Sequence, residues 1–122
     1  MFKIQTLNNI SRNGLDRFPA NLYSVANDVA EPDALLLRSA DLHGKPLAAS
    51  IKAVARAGAG TNNIPGAEFS QRGVPVFNAP GANANAVKEL VVAGMLIAAR
   101  NLDSALAFVG GLDGGAHLHD KV

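Results

Sequence analysis

Short apolar runs separated by polar and turn-forming residues recur along the first two thirds of the chain. Such runs are typical of β-strands, and a run that is apolar throughout is typical of a strand buried on both faces. The pattern predicts strands over residues 2–7, 23–25, 34–37, 51–57 and 74–77, the last at an edge of the sheet or near its start because of Pro75. It predicts helical segments over residues 14–18, 46–50, 64–71 and 86–100. Strands that alternate with helices favour a small parallel α/β sheet flanked by helices.

The last predicted helix is long, and it is apolar on more than one side. Asn83 or Asn85 can cap its first turn, and Glu89 lies near its positive end. Its apolar positions cover more than one stripe, so we expect burial over most of its circumference. The longest apolar run, residues 90–99, is too short for a membrane span, which needs roughly 20 residues. After Asn101 the periodic pattern decays.

Composition excludes several classes of function. Charged residues make up 17% of the chain, against about 25% in a typical soluble domain, which suggests that another surface covers some of the apolar surface. The net charge of +1 gives no basic stripe for nucleic acid. The absence of cysteine excludes disulfides and thiolate chemistry. The first residues have no apolar stretch of signal-peptide length. We therefore expect a soluble, cytoplasmic protein without nucleic-acid or membrane partners.

An arginine directly follows the apolar run at residues 34–37. The fork of the Arg38 guanidinium matches carboxylate and phosphate groups, so Arg38 with its neighbour Ser39 could form an anion clamp. The alternative is a salt bridge from Arg38 to a nearby acid such as Asp41. The sequence pattern alone leaves both interpretations open.

A second candidate site lies at the end of the strand predicted over residues 51–57. In the loop of Gly58, Ala59 and Gly60, small residues allow a ligand to approach backbone N–H groups that can form an anion nest. An ordinary tight turn is the alternative. The loop is not a dinucleotide fingerprint, because the third glycine of G-x-G-x-x-G falls on Asn63. The glycine-rich tail also fails this pattern, because Leu112 occupies the second glycine position.

The sequence gives little support for a metal site. His117 and His119 could chelate an ion, but no third ligand has matching spacing. We therefore predict no metal ligands.

Three stretches, in the same order and at similar spacing, resemble one enzyme family. They are LLLRSA at residues 35–40, ARAGAGTNNI at residues 55–64 and GVPVFNAPGANANAVKEL at residues 73–90. The second is similar to an R-A-G-x-G-x-[DN]-N loop, and the third to a long G-[IV]-x-V-x-N-x-P…N-x-x-x-V-x-E-L segment. Both motifs are found in D-isomer-specific 2-hydroxyacid dehydrogenases of the 3-phosphoglycerate type.

The resemblance implies an enzyme of two α/β domains with NAD as cofactor. Residues 1–82 would form the first part of a flavodoxin-like substrate domain, and residues 83–122 a long apolar connecting helix and tail. The nucleotide-binding domain would be absent from this chain, and the last helix of the substrate domain would come from the far C-terminus. The family's catalytic Arg, Glu and His would also lie outside the chain, so we predict no catalytic residue here.

The resemblance also implies roles for individual residues. Arg38 and Ser39 would hold the acidic groups of the substrate, Arg56 would lie near a substrate phosphate, and Asn83 would lie at the mouth of the interdomain cleft. The backbone of the loop at residues 58–60 would bind the substrate carboxylate. Ala84 stands where many relatives have Thr or Ser facing the cofactor, so that contact to NAD is in doubt.

We therefore expect the substrate-binding part of an NAD-dependent 3-phosphoglycerate dehydrogenase of serine biosynthesis, inactive as this chain alone. Its partners would be a small acidic hydroxy acid and further copies of the chain, joined through the apolar helix. The rival hypothesis is a free-standing flavodoxin-like binding or signalling module. A receiver-type module needs clustered acids at its strand ends for Mg²⁺, whereas this chain has Arg38 and glycines there.

Overall fold

The computed structural model describes residues 1–112. The described chain forms two units, residues 1–82 and the residues from Asn83 onward. His117 and His119 lie outside the described residues.

The first unit contains five strands and two short helices. The strands are β1 (Phe2–Leu7), β2 (Tyr23–Ala26), β3 (Ala34–Leu37), β4 (Ala53–Arg56) and β5 (Val76–Phe77), and the helices are α1 (Arg12–Leu15) and α2 (Gly66–Gln71). All five strands are parallel, in the order β2-β1-β3-β4-β5. This is the flavodoxin-like order, in which the chain changes direction across the sheet between β1 and β3. The predicted parallel α/β sheet is confirmed, with β5 at its edge directly after Pro75.

One face of the sheet carries the hydrophobic core. Alternate residues of β3 and β4 point to this face, because successive side chains of a strand lie on opposite sides. Leu35, Leu37 and Val54 pack there against Phe69 of α2 and against the segments that follow β3 and β4. The members of this core that are nearly or fully buried are Leu35, Leu37, Leu42, Ile51, Val54, Ile64, Phe69 and Val74. The opposite face carries an open apolar groove of about 330 Å³.

An aspartate ties three strands together at the amino edge of the sheet. The Asp33 carboxylate accepts the backbone N–H of Lys3 over 2.8 Å and the Lys52 ammonium over 2.6 Å. Its backbone N–H and carbonyl bond to the same two residues. The hydrogen bond from the Lys52 side chain, followed by that from the Lys3 backbone, lowers the pKa of Asp33.

The segment at residues 46–50 is not helical, which corrects the prediction made from its sequence. It runs as turns and irregular backbone, and Leu47 and Ala48 pack against the core. The Ala48 carbonyl accepts the Arg72 guanidinium over 2.7 Å. These tertiary contacts replace the internal hydrogen bonds of a helix.

The second unit contains α3 (Ala84–Ala99) and α4 (Leu102–Gly110). Asn101 separates them with a left-handed backbone, φ 48°. α4 was not predicted, because the periodic pattern weakens after this break. Asn83 is the N-terminal cap residue of α3 but makes no side-chain capping bond, whereas the Asn85 amide donates to Glu89. The large apolar side chains of α3 are exposed in the described chain.

No single helix in residues 1–112 is long and apolar enough to cross a membrane. Taken together, α3 and α4 meet the length and composition for a span, but the pair is bent by 65°.

Candidate anion-binding site

Three loops meet at the carboxyl edge of the sheet, where parallel strands of this order place their ligands. They follow β1, β3 and β4, which are neighbours in the sheet. Arg38 and Ser39 come directly after β3, Arg56 is the last residue of β4, and the loop at residues 58–60 begins two residues later. The topology thus brings the six predicted binding residues of the first unit to one edge.

Asn8 holds the loop after β3. It directly follows β1, and its backbone adopts a left-handed conformation, φ 73°, which Asn tolerates better than most residues. Its side-chain Oδ1 accepts the backbone N–H groups of Ser39 over 2.9 Å and of Ala40 over 2.7 Å, and it also receives a longer bond of 3.3 Å from Arg38. The amides of this loop are therefore used inside the protein.

Arg56 and Asn63 hold the carbonyl side of the same loop. The Arg56 Nε donates to the Arg38 carbonyl over 2.9 Å, and the Asn63 Nδ2 donates to the Ala40 carbonyl over 2.7 Å. The Asn63 Oδ1 is buried and has no hydrogen-bond partner among the described residues. These contacts link the loop after β3 firmly to the loop after β4.

The loop after β4 exposes backbone donors. Two of its carbonyls are occupied, since the Gly58 oxygen accepts from the Ala79 N–H over 3.0 Å and the Ala59 oxygen accepts from the Asn78 side chain over 2.7 Å. The N–H groups of Ala59 and Gly60 donate to no acceptor within residues 1–112, and both residues are exposed. Two unpaired amides beside each other can receive an anionic oxygen.

The Arg56 guanidinium lies across this loop. A Cβ atom added to Gly58 would approach the Arg56 Nη1 to 2.6 Å, and one added to Gly60 would lie 3.6 Å from the same nitrogen. Glycine at position 58 therefore makes room for the guanidinium. With Nε engaged by the Arg38 carbonyl, the Nη groups are held beside the free amides.

The acidic residue nearest in sequence does not neutralise Arg38. Asp41 accepts both the backbone N–H and the ring Nδ1 of His43, the latter over 2.7 Å. The hydrogen bond from the His43 backbone, followed by that from its ring, lowers the pKa of Asp41. In the described chain Arg38 forms no ion pair, so the proposed salt bridge to Asp41 is not found. The exposed Arg38 side chain instead borders a groove of about 340 Å³.

Two predicted residues belong to the second unit. Asn83 and Ala84 lie at the start of α3, and their proposed contacts to the cleft and cofactor remain predictions. Among residues 1–112, no group of three or more His, Asp or Glu side chains could hold a metal ion, and no acid directly follows β1, β3, β4 or β5. The charge at this edge is the opposite of what a Mg²⁺ site requires.

The described residues do not fit the NAD pyrophosphate. In dinucleotide-binding folds the phosphates lie against the N-terminus of the helix that opens directly after the glycine loop. Here α2 has only six residues and begins at Gly66, after an intervening turn. The side chain of Arg56 covers Gly58, where the close approach of a cofactor would be required.

The family is decided by comparison with known proteins. A model of the family described as D-isomer specific 2-hydroxyacid dehydrogenase, catalytic domain, matches residues 8–111. The chain belongs to this family. The match covers the whole carboxyl edge described above, together with α3 and α4.

Individual relatives carry more specific names. The chain is 41% identical over 80 residues to the D-3-phosphoglycerate dehydrogenase of Mycobacterium tuberculosis, which covers 63% of the chain and 15% of that relative. It is 36% identical over 80 residues to the hydroxypyruvate reductase of Thermotoga maritima, with coverage of 63% and 26%. It is 37% identical over 84 residues to the erythronate-4-phosphate dehydrogenase of Shewanella baltica, with coverage of 66% and 22%. The chain thus spans about a quarter or less of each of these relatives.

Two residues of the site were not predicted from the sequence of this member of the dehydrogenase family. Asn8 directly follows a strand, and this position was the available signal, because the residue after each strand lies at the ligand edge. Asn63 was noted as the residue that breaks the glycine fingerprint and as the last residue of the R-A-G-x-G-x-[DN]-N motif, but it was not predicted to belong to the site. Its role as a donor to the Arg38 and Ala40 carbonyls depends on contacts more than twenty residues away in sequence.

Proposed function

We propose that this chain is the substrate-binding part of an NAD-dependent dehydrogenase that acts on a phosphorylated D-2-hydroxy acid, with 3-phosphoglycerate as the preferred candidate. The observation that carries the proposal is the cationic carboxyl edge. The Arg56 guanidinium lies beside the free amides of Ala59 and Gly60, and the exposed Arg38 side chain belongs to the neighbouring loop. Neither arginine is paired with an acidic side chain in the described chain.

The site suits a ligand with two acidic groups. The free amides at residues 59–60 can bind a carboxylate oxygen, as oriented backbone N–H groups do in anion nests. The forked guanidinium groups suit a phosphate or a second carboxylate, and the Ser39 hydroxyl adds a donor and acceptor. The names of two relatives, D-3-phosphoglycerate dehydrogenase and erythronate-4-phosphate dehydrogenase, support a phosphorylated substrate.

In this proposal the chain binds and orients the substrate and does not perform the redox step. NAD would supply hydride acceptance, and it would be held by a part of the enzyme outside these 122 residues, since residues 1–112 do not fit its pyrophosphate and the sequence has no G-x-G-x-x-G motif. The catalytic acid and base would lie there too. The purified chain alone should therefore produce no NADH from 3-phosphoglycerate and NAD.

Titration of the isotope-labelled chain with 3-phosphoglycerate, followed by NMR, tests this assignment. We expect the largest shift changes at the amides of Ala59 and Gly60 and at the Arg38 and Arg56 side chains. Arg38→Ala should weaken binding by roughly tenfold or more, because a hydrogen bond from a charged group is worth about 1.5–3 kcal/mol. Arg17→Ala is the matched control, because it removes the same charge from an exposed position in the same unit.

The proposal is wrong if the ligand shifts avoid this edge, or if Arg17→Ala weakens binding as much as Arg38→Ala. In the second case the ligand would respond to net charge rather than to a built site. NADH formation by the purified chain would also contradict the division of roles proposed here.

A further inference from the structure

Asn8 collects three consecutive backbone donors on one oxygen. The N–H groups of Arg38, Ser39 and Ala40 all point at its Oδ1. Consecutive N–H groups that converge in this way are the arrangement that binds an anionic oxygen. In this protein the amide oxygen of Asn8 occupies that position. The backbone of the loop after β3 is therefore used for internal structure, whereas the backbone of the loop after β4 remains free for a ligand.

We propose that Asn8 is a positioning residue for the anion site, an inference that rests on the proposed function. Its Oδ1 holds the loop after β3 so that the Arg38 and Ser39 side chains face the ligand bound by the neighbouring loop. The role assigned to Asn8 is to hold the loop through its Oδ1, which already accepts from three donors. No sequence motif discussed above includes this residue.

The contacts on both sides of the loop explain why one side chain has this influence. Arg38 and Ser39 are exposed, so packing does not fix them. Their segment is held on the carbonyl side by Arg56 and Asn63 and on the amide side by Asn8. Without the Asn8 oxygen, the loop keeps its carbonyl contacts, but its N–H groups hydrogen-bond to water instead and the loop samples more conformations. A binding loop that is less ordered before binding loses affinity for the ligand it has to orient.

The backbone at position 8 offers a pair of matched variants. With φ at 73°, the position accepts Gly without strain and tolerates Asp better than most residues. Asn8→Gly removes the acceptor and keeps the backbone conformation. Asn8→Asp keeps an acceptor of the same length and makes it ionic, so it should hold the loop. The pair separates loss of the oxygen from any change at this position.

Two measurements on the full 122-residue chain test the inference. Amide hydrogen exchange at Ser39 and Ala40 should be about 2-fold to 13-fold faster in Asn8→Gly, as expected when a hydrogen bond of ordinary strength is lost. It should stay near the parent rate in Asn8→Asp. The dissociation constant for 3-phosphoglycerate should rise several-fold to about tenfold in Asn8→Gly. Asn8→Asp serves as the control for hydrogen exchange only, because its added negative charge also repels the anion. The urea midpoint of both variants should stay close to that of the parent, which distinguishes loop positioning from a general loss of stability.

Parent-like 3-phosphoglycerate affinity in Asn8→Gly would overturn the inference, and so would parent-like hydrogen exchange at Ser39 and Ala40 in that variant. If the parent chain itself binds no 3-phosphoglycerate, the proposed function fails, and the exchange rates of Ser39 and Ala40 then decide separately whether Asn8 sets the loop.

Discussion

Replacing Gly58 by Ala should weaken anion binding while leaving the fold nearly intact. The new Cβ would lie 2.6 Å from the Nη1 and 3.3 Å from the Cζ of Arg56. Ordinary separations between non-bonded heavy atoms are about 3.5–4.0 Å, so the guanidinium has to move by about 1 Å. The end of an arginine side chain can move this far, and the backbone of Gly58 does not need to follow.

The structure predicts a small effect of Gly58→Ala on the free energy of unfolding and a large effect on the dissociation constant. Gly58 has no positive φ, so Ala fits its backbone, and substitutions of this kind change the free energy of unfolding by about 1 kcal/mol or less. Binding should respond much more. If the displaced Arg56 guanidinium loses one hydrogen bond to the ligand, worth about 1.5–3 kcal/mol, the dissociation constant rises roughly 10-fold to 150-fold.

Isothermal titration with 3-phosphoglycerate and urea unfolding measure the two quantities on the same samples. Gly66→Ala is the matched control, because a Cβ at that position meets no atom within 4 Å, and it should bind as the parent does. Parent-like affinity in Gly58→Ala would show that the Arg56 guanidinium takes no part in binding. A free energy of unfolding lowered by several kcal/mol would show that Arg56 is needed for the fold.

Three further predictions concern the rest of the chain. Phe69→Ala should lower the free energy of unfolding, measured in urea, by about 3–5 kcal/mol, because Phe69 is fully buried. Phe77→Ala is the control and should cost far less, because Phe77 is largely exposed. Equal losses of stability in the two variants would show that Phe69 is not part of the core. Asp33→Asn should lower the free energy of unfolding at neutral pH but not at acidic pH, because the lowered pKa of Asp33 gives stability that is lost as pH falls through the folded-state pKa. Lys52→Met, which removes the partner of Asp33, should show the same pH dependence. A constant difference in the free energy of unfolding between parent and variants at all pH values would contradict this. The chain should self-associate through α3, where Leu90 is 75% exposed. Light scattering after size exclusion should show less association for Leu90→Lys than for the parent chain. A parent chain that is monomeric at high concentration would refute this prediction.

The strands were predictable because their signals are local. A short apolar run between turn residues favours a strand, because it is shorter than an ordinary helix and is bounded by residues that end it. The order of strands and helices then favours a parallel sheet. The segment at residues 46–50 was mispredicted for the opposite reason. Its conformation is decided by the contact from Arg72 to Ala48 and by core packing, both of which join positions far apart in sequence.

The proposed binding residues of the candidate site could be predicted from the sequence, but the hydrogen bonds that join its loops could not. Arg38, Arg56 and the loop at residues 58–60 could be assigned to one edge, because the carboxyl ends of parallel strands lie together. Which groups are free to bind could not be inferred. The loops after β3 and β4 both end apolar strands, and no local pattern shows that one has its amides occupied and the other does not.

That difference comes from the residue after β1. β1 lies next to β3 and not next to β4, so a side chain at position 8 can reach the amides of the loop after β3, over a sequence separation of 30 to 32 residues. The amides at residues 59–60 lie one strand further away, and their neighbours Asn78 and Ala79 bond to carbonyls of that loop instead. In the proposed anion site, strand order therefore divides the roles of the two loops: the loop after β3 would offer side chains to the anion, and the loop after β4 would offer its backbone.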